Sequence, residues 1–190
     1  MNRLKILLLC LFFVSSTGCG TFLDSIDAEP IEDDPGQRTA GATLEDENIE
    51  RKATVNISAA DPGLDSAHIT VVSYNGYVLI AGQVPTEELK QKASDVVRKI
   101  RGVRRIYNEL TVSGNTNALT RSSDAWLTTK VKSALLASSE IEGNRVKVVT
   151  ENGVVYLMGM VSRAEAERIA DSARSAYGAQ KIVQLFEFID

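Results

Sequence analysis

The sequence predicts an α+β protein made of two tandem copies of one small α-β-β-α-β sandwich, each a three-stranded mixed sheet with two helices. An internal repeat carries the first half of that reading. The segment ITVVSYNGYVLIAGQV, from Ile69, returns as VKVVTENGVVYLMGMV, from Val146, so that Val71, Val72, Asn75, Gly76, Val78, Gly82 and Val84 recur 77 positions later. Upstream, Asp46, Ile49, Lys52, Ala53 and Ile57 match Asp124, Leu127, Lys130, Val131 and Leu135 at an offset of 78. Downstream, Gly102, Ile106 and Val112 match Gly178, Ile182 and Phe188 at an offset of 76. The second half comes from periodicity, because helical and strand patterns alternate within each copy. Two copies make a tandem module, since a solenoid needs at least three repeats to bury a continuous core.

Each copy opens with a helix. In the second, Asp124 is the expected N-cap, followed by Leu127, Val131, Ala134 and Leu135 at helical spacing. The first has a thinner stripe of Ile49, Ala53 and Ile57, with Glu45, Asp46 and Glu47 near the positive end of the helix dipole. Asn75-Gly76 and Asn152-Gly153 then lie between β-rich runs, the pattern of a type I′ hairpin whose turn residues both take positive φ. Strands are expected over 69–73 and 77–84, and again over 146–150 and 154–161.

A second helix follows, capped by Thr86 or Ser162, with Leu89, Ala93, Val97 and Ile100 or Ala166, Ile169 and Ala173 inward. Gly102 and Gly178 mark the helix ends. The closing strands, about 104–112 and 181–189, are expected parallel to the strand before the helix, because a strand–helix–strand crossover is right-handed. Units of roughly 65–70 residues are marginal in core size. The copies are therefore expected to pack on each other, through faces the sequence does not specify.

The front of the chain has its own chemistry. Residues 1–18 carry Arg3 and Lys5, then an apolar stretch too short for a membrane span, as in a secretory signal. The ending Ser16-Thr17-Gly18-Cys19 resembles the bacterial lipobox, with Ser16 where Leu is usual, and that resemblance implies acylation of Cys19. With Cys10 removed in the leader, Cys19 is the only remaining cysteine, and acylation gives a lone exported thiol its reason. Gly20 follows in place of the Asp that retains lipoproteins in the inner membrane, so the resemblance implies the outer membrane. Residues 19–43 then read as a lipidated, disordered acidic tether, 44–112 as the first domain, 113–122 as a linker and 123–190 as the second domain.

The globular part is nearly neutral, with nine basic and ten acidic residues over 44–112 and nine of each over 120–190. A nucleic-acid partner calls for a basic excess and is not expected. Catalysis is not expected either. One histidine, His68, no thiol beyond Cys19 after the leader, no nucleophile elbow and no phosphate loop leave no catalytic residue, cofactor or metal ligand to name.

The pattern Asp-x-x-Leu, Lys-Val, Leu, then Val-x-Val, Asn-Gly-x-Val-x-Leu-x-Gly-x-Val, a helix, and Gly-x-x-x-Ile resembles the BON domain (bacterial OsmY and nodulation). The second copy holds it in Asp124, Leu127, Lys130, Val131, Leu135, Val146, Val148, Asn152, Gly153, Val155, Leu157, Gly159 and Val161. Two such domains behind a lipobox are similar to the tandem-BON lipoproteins of Gram-negative outer membranes. The resemblance implies a non-enzymatic, outer-membrane, periplasm-facing lipoprotein. It also implies binding to anionic phospholipids, support of envelope integrity and association with division sites, with the lipid contact on the first helix of the second domain.

The residues of that helix can be read without the resemblance. With Leu127, Val131 and Leu135 facing the core, Trp126 falls on the opposite side, beside Thr129, Lys130, Ser133, Leu136 and Ala137. An indole there suits the membrane interface, and a nearby lysine adds about 1 kcal/mol toward anionic lipid. The alternative is an indole packed against the first copy. Asn48 occupies the corresponding position in that copy, so lipid contact is expected only in the second. Arg98, Lys99, Arg101, Arg104 and Arg105 form a further basic cluster, either head-group contacts or cations serving a helix C-terminus. A periplasmic protein adaptor for cell-wall remodelling or outer-membrane assembly is the competing functional reading.

Overall fold

In the computed structural model, which describes residues 34–176 and 178–190, the first helix opens at Thr39, whose hydroxyl accepts from the Ala42 N–H at 3.1 Å. Helix α1 runs Ala40–Ala60 and a single turn, α2, spans Pro62–Asp65. Strands β1 (His68–Tyr74) and β2 (Tyr77–Val84), helix α3 (Glu87–Arg98) and strand β3 (Arg105–Val112) complete domain one. Domain two repeats the order with α4 (Ala118–Ala137), a 3-10 turn (Gly143–Arg145), β4 (Lys147–Glu151), β5 (Val154–Val161), α5 (Arg163–Ser175) and β6 (Lys181–Phe188).

Each hairpin is antiparallel and each closing strand is parallel to its neighbour, in the orders β1-β2-β3 and β4-β5-β6. Asn75 and Gly76 have φ of 50° and 75°, and Asn152 and Gly153 have 49° and 77°, as the type I′ geometry requires. Thr86 caps α3, and Ser162 with Glu165 forms a reciprocal capping box on α5.

Both leading helices start earlier than their apolar stripes. Residues 40–43, expected in the tether, and 118–122, expected in the linker, are helical. Asp124 is not the N-cap of its helix: Asn117 takes that role, its side chain accepting from the Thr120 N–H at 2.9 Å. Asp124 instead lies inside α4, 7% exposed, and accepts the N–H groups of Asn152 and Gly153 at 2.8 Å each. The carboxylate caps the hairpin rather than the helix.

Strand alternation gives each sheet two buried faces. In domain one Val78, Ile80 and Val84 face the helices beside Ile49, Ala53, Ile57, Val97 and Leu110. In domain two Val155, Leu157 and Val161 face Leu127, Val131, Leu135 and Ile169. The remaining faces meet each other: Val72, Tyr74, Leu79 and Ala81 pack with Val149, Tyr156, Met158 and Leu185 in a third core between the domains. The result is four layers, helix–sheet–sheet–helix, with α1 and α4 on opposite outer sides.

Polar contacts edge the interface. The Tyr74 hydroxyl donates to Arg145 O at 2.7 Å, and Gln83 Nε2 donates to Glu151 Oε1 at 2.9 Å. His68 Nε2 lies 3.5 Å from Glu151 Oε2. Arg104 binds both carboxylate oxygens of Glu187, at 2.9 and 2.6 Å, and Asn75 Nδ2 reaches the same carboxylate at 2.7 Å.

Candidate functional site

Burial of Leu127, Val131 and Leu135, together with the Asp124 contact to the hairpin, fixes the roll of α4 about its axis. That roll turns Trp126 outward, 61% exposed. The domains meet through their sheets, so the indole does not serve as the interdomain contact that was the alternative from sequence. Lys130 Nζ lies over the indole, 4.9 Å from the ring centroid, a cation–π arrangement. The Thr129 hydroxyl donates to Ala125 O at 3.0 Å, so it asks nothing of the surroundings. Ser133 and Ala137 are exposed and small, and Leu136 is 57% exposed.

Helix α4 also brings in Leu119, the most exposed large apolar side chain described, at 79%. The sequence places it in the linker over 113–122, whereas the helix already begins at Ala118. A spacing of seven residues from Trp126 puts it on the same face two turns earlier, and that spacing was the available signal. The outward face of α4 therefore carries three large exposed apolar side chains and a lysine along its length. The matching face of α1 has exposed Leu44 and Val55 but half-buried Asn48 at the Trp126 position.

The five side chains of the basic cluster are all exposed, and three of them are engaged by neighbours within the protein. Arg104 is committed to Glu187 across the domain interface, whose hydrogen bonds push its pKa up. Arg98 pairs with Asp95 one turn away at 2.8 Å. Arg105 lies over the rings of Tyr77 and Tyr107, at 5.5 and 5.8 Å. Lys99 and Arg101 are exposed at the end of α3. Cys19 lies outside the described residues. Among those described, no helix is long and apolar enough to cross a membrane, and no group of three or more His, Cys, Asp or Glu is placed to hold a metal.

The BON domain family profile matches residues 45–114 and 123–190. The chain is 34% identical over 190 residues to the outer membrane lipoprotein DolP of Haemophilus influenzae, covering 100% of this chain and 97% of that protein. It is 38% identical over 152 residues to a 21 kDa hemolysin of Actinobacillus pleuropneumoniae, covering 80% of this chain and 78% of the relative. The osmotically-inducible protein Y of Escherichia coli is 26% identical over 193 residues, covering 96% of each chain. The doubled Asn-Gly turn, the matched family profile and the whole-length likeness agree: the chain belongs to the BON domain family, as a tandem-domain lipoprotein of the outer membrane.

Proposed function

We propose that this protein is tethered by acyl chains on Cys19 and binds anionic phospholipid through the outward face of α4, in support of envelope integrity. The carrying observation is the exposed indole of Trp126 beneath Lys130, flanked by Leu119 and Leu136. An aromatic ring with a polar N–H suits the boundary between head groups and acyl chains. The lysine contributes about 1 kcal/mol toward a negative surface. Such a face is weak alone, but a tether makes its encounter with the membrane intramolecular, so modest affinity is enough to hold it there. Thr129, Ser133 and Ala137 keep the face small enough around the ring for the helix to lie flat on the head groups. The same proposal includes association with division sites, as the family resemblance implies.

Flotation with vesicles tests this. The chain from residue 20 onward should float with phosphatidylglycerol vesicles and not with purely zwitterionic ones. Trp126→Glu should abolish flotation while its circular dichroism spectrum and melting temperature stay near the parent values, because the ring contributes little to the core. A Trp126→Glu protein that still floated would remove the α4 face from the site. Absence of flotation by the parent chain, with capture of a periplasmic protein that depends on Trp126, would favour the adaptor reading.

A further inference from the structure

Between the flank of α4, the Gly143–Arg145 turn, the start of β4 and the segment before α1 lies a cavity of about 240 Å³. Its polar walls are Arg38, Tyr74, Thr128, Lys132, Asn144 and Lys147. Tyr74 and Thr128 spend their hydroxyl protons on Arg145 O and Thr150 Oγ1, so the donors that face a ligand are Arg38, Lys132, Asn144 and Lys147, and no carboxylate lines the space. Three of them carry positive charge.

Lys132 is held in position by two backbone carbonyls: Nζ donates to Gly143 O and Val146 O, both at 2.7 Å. The third ammonium proton remains for a ligand. Burial, and then the charge of Lys147, pull the Lys132 pKa below its ordinary value. Among the described residues neither lysine pairs with a carboxylate. Arg38 gives one nitrogen to Asp46 at 2.6 Å and lies over the Tyr74 ring, 3.8 Å from its centroid. Two ammonium groups thus stand in each other's field at the mouth of a donor-lined hollow, an arrangement an anion relieves. The volume falls below the roughly 300–1,000 Å³ of sites for drug-sized molecules. It suits a phosphate with a short polyol.

We propose that this cavity is a phosphate site in which Lys132, Lys147 and Arg38 hold a phosphomonoester or phosphodiester. It uses none of the side chains assigned to the membrane face, so the two readings stand separately. A lipid head group and a soluble phosphate present the same chemistry, and the test distinguishes them.

The chain from residue 19 onward, carrying Cys19→Ser, is titrated with inorganic phosphate and glycerol phosphate while amide resonances are followed by NMR. Saturable shifts are expected at Asn144, Lys147 and Thr128. Lys147→Gln should weaken binding about fivefold, the share of one lysine toward an anion, and Lys147→Glu should abolish it. Lys147 is exposed, so these variants keep their melting temperature and remain readable even if Lys132→Met fails to fold. A second arm uses phosphatidylglycerol vesicles. Loss of vesicle binding in Lys147→Glu, but not in Lys181→Glu outside the cavity, supports the site and assigns the phosphate to lipid, even where soluble phosphates leave the amides unmoved. Unmoved amides with vesicle binding unchanged in Lys147→Glu, or reduced equally in Lys181→Glu, overturn it. Trp126→Glu reports on the membrane face in either case.

Discussion

Asp46 and Asp124 occupy equivalent places and do equivalent work, and both are buried. Asp46 accepts the Ser73 hydroxyl at 2.6 Å and the N–H groups of Asn75 and Gly76 at 2.7 and 2.9 Å. Arg38 adds a charge-assisted bond at 2.6 Å. Burial pushes the Asp46 pKa up, but these four donors together outweigh it and hold the carboxyl below its ordinary 3.8. A folded value below the unfolded one means the stabilisation is complete above about pH 4. It fades as the pH falls through the folded value. Asp46→Asn should therefore lower stability at neutral pH by about 1.5–3 kcal/mol, the range for hydrogen bonds to a charged group. It should also flatten the acid limb of a plot of melting temperature against pH. A parallel acid limb in parent and variant would show that other carboxylates govern it. From sequence, the repeated aspartate was visible but its job was not, because an Asp ahead of an apolar stripe has the same signature as a helix cap.

At the scale of elements, repeated letters conceal unequal geometry. Gly82 and Gly159 are equivalent in the repeat, yet only Gly82 has positive φ, at 129°, and a Cβ there would lie 2.0 Å from His68 O. The cause is strand length. Strand β1 pairs along β2 as far as Gln83, with Ile69 opposite Gly82, whereas β4 pairing ends at Met158 and leaves Gly159 beyond it. A Cβ on Gly159 would meet Arg145 O at 3.2 Å, a contact small shifts can relieve. Gly82→Ala should cost about 1–3 kcal/mol, as forced backbone strain does, while Gly159→Ala should stay within about 1 kcal/mol of the parent. Urea midpoints of the two variants check this, and equal losses would count against it. The elements themselves were legible because the Asn-Gly turns and the stripes of Val131 and Leu135 are local signals. The extra turns of α1 and α4 were not, because Leu44 and Leu119 point outward and so add nothing to a core stripe. The same outward direction made Trp126 readable and Leu119 easy to miss, since an exposed leucine lacks the indole's chemical mark.

For the whole molecule, the interface between the sheets decides how the two domains behave. Strands β2 and β5 are apolar on both faces, which a single sandwich with one solvated face does not need. That property was present in YVLIAGQV and VVYLMGMV, but choosing the partner face required knowing that the helices cover only one side. Leu79 and Met158 are fully buried there, and burial of such a side chain contributes about 1.5–3 kcal/mol. Glu187 ties the same interface to Arg104 and Asn75 at one edge, and Glu151 ties it to Gln83 at another. Neither domain can leave the other without exposing an apolar sheet, so the two should unfold together, in a single transition whose calorimetric and van't Hoff enthalpies agree. The chain's one tryptophan lies in domain two and reports only that domain. Leu79→Asp, in domain one, should nonetheless lower the midpoint followed by tryptophan fluorescence, by the same amount as the midpoint followed by circular dichroism. A tryptophan transition that stayed at the parent temperature would mean that the sheets touch without sharing stability. In that case α4 would keep its outward face, with Trp126 exposed, whatever happened to domain one. If the transitions move together, the α4 face is held by both domains, and a lesion in the first domain should weaken vesicle binding at temperatures near the shared midpoint.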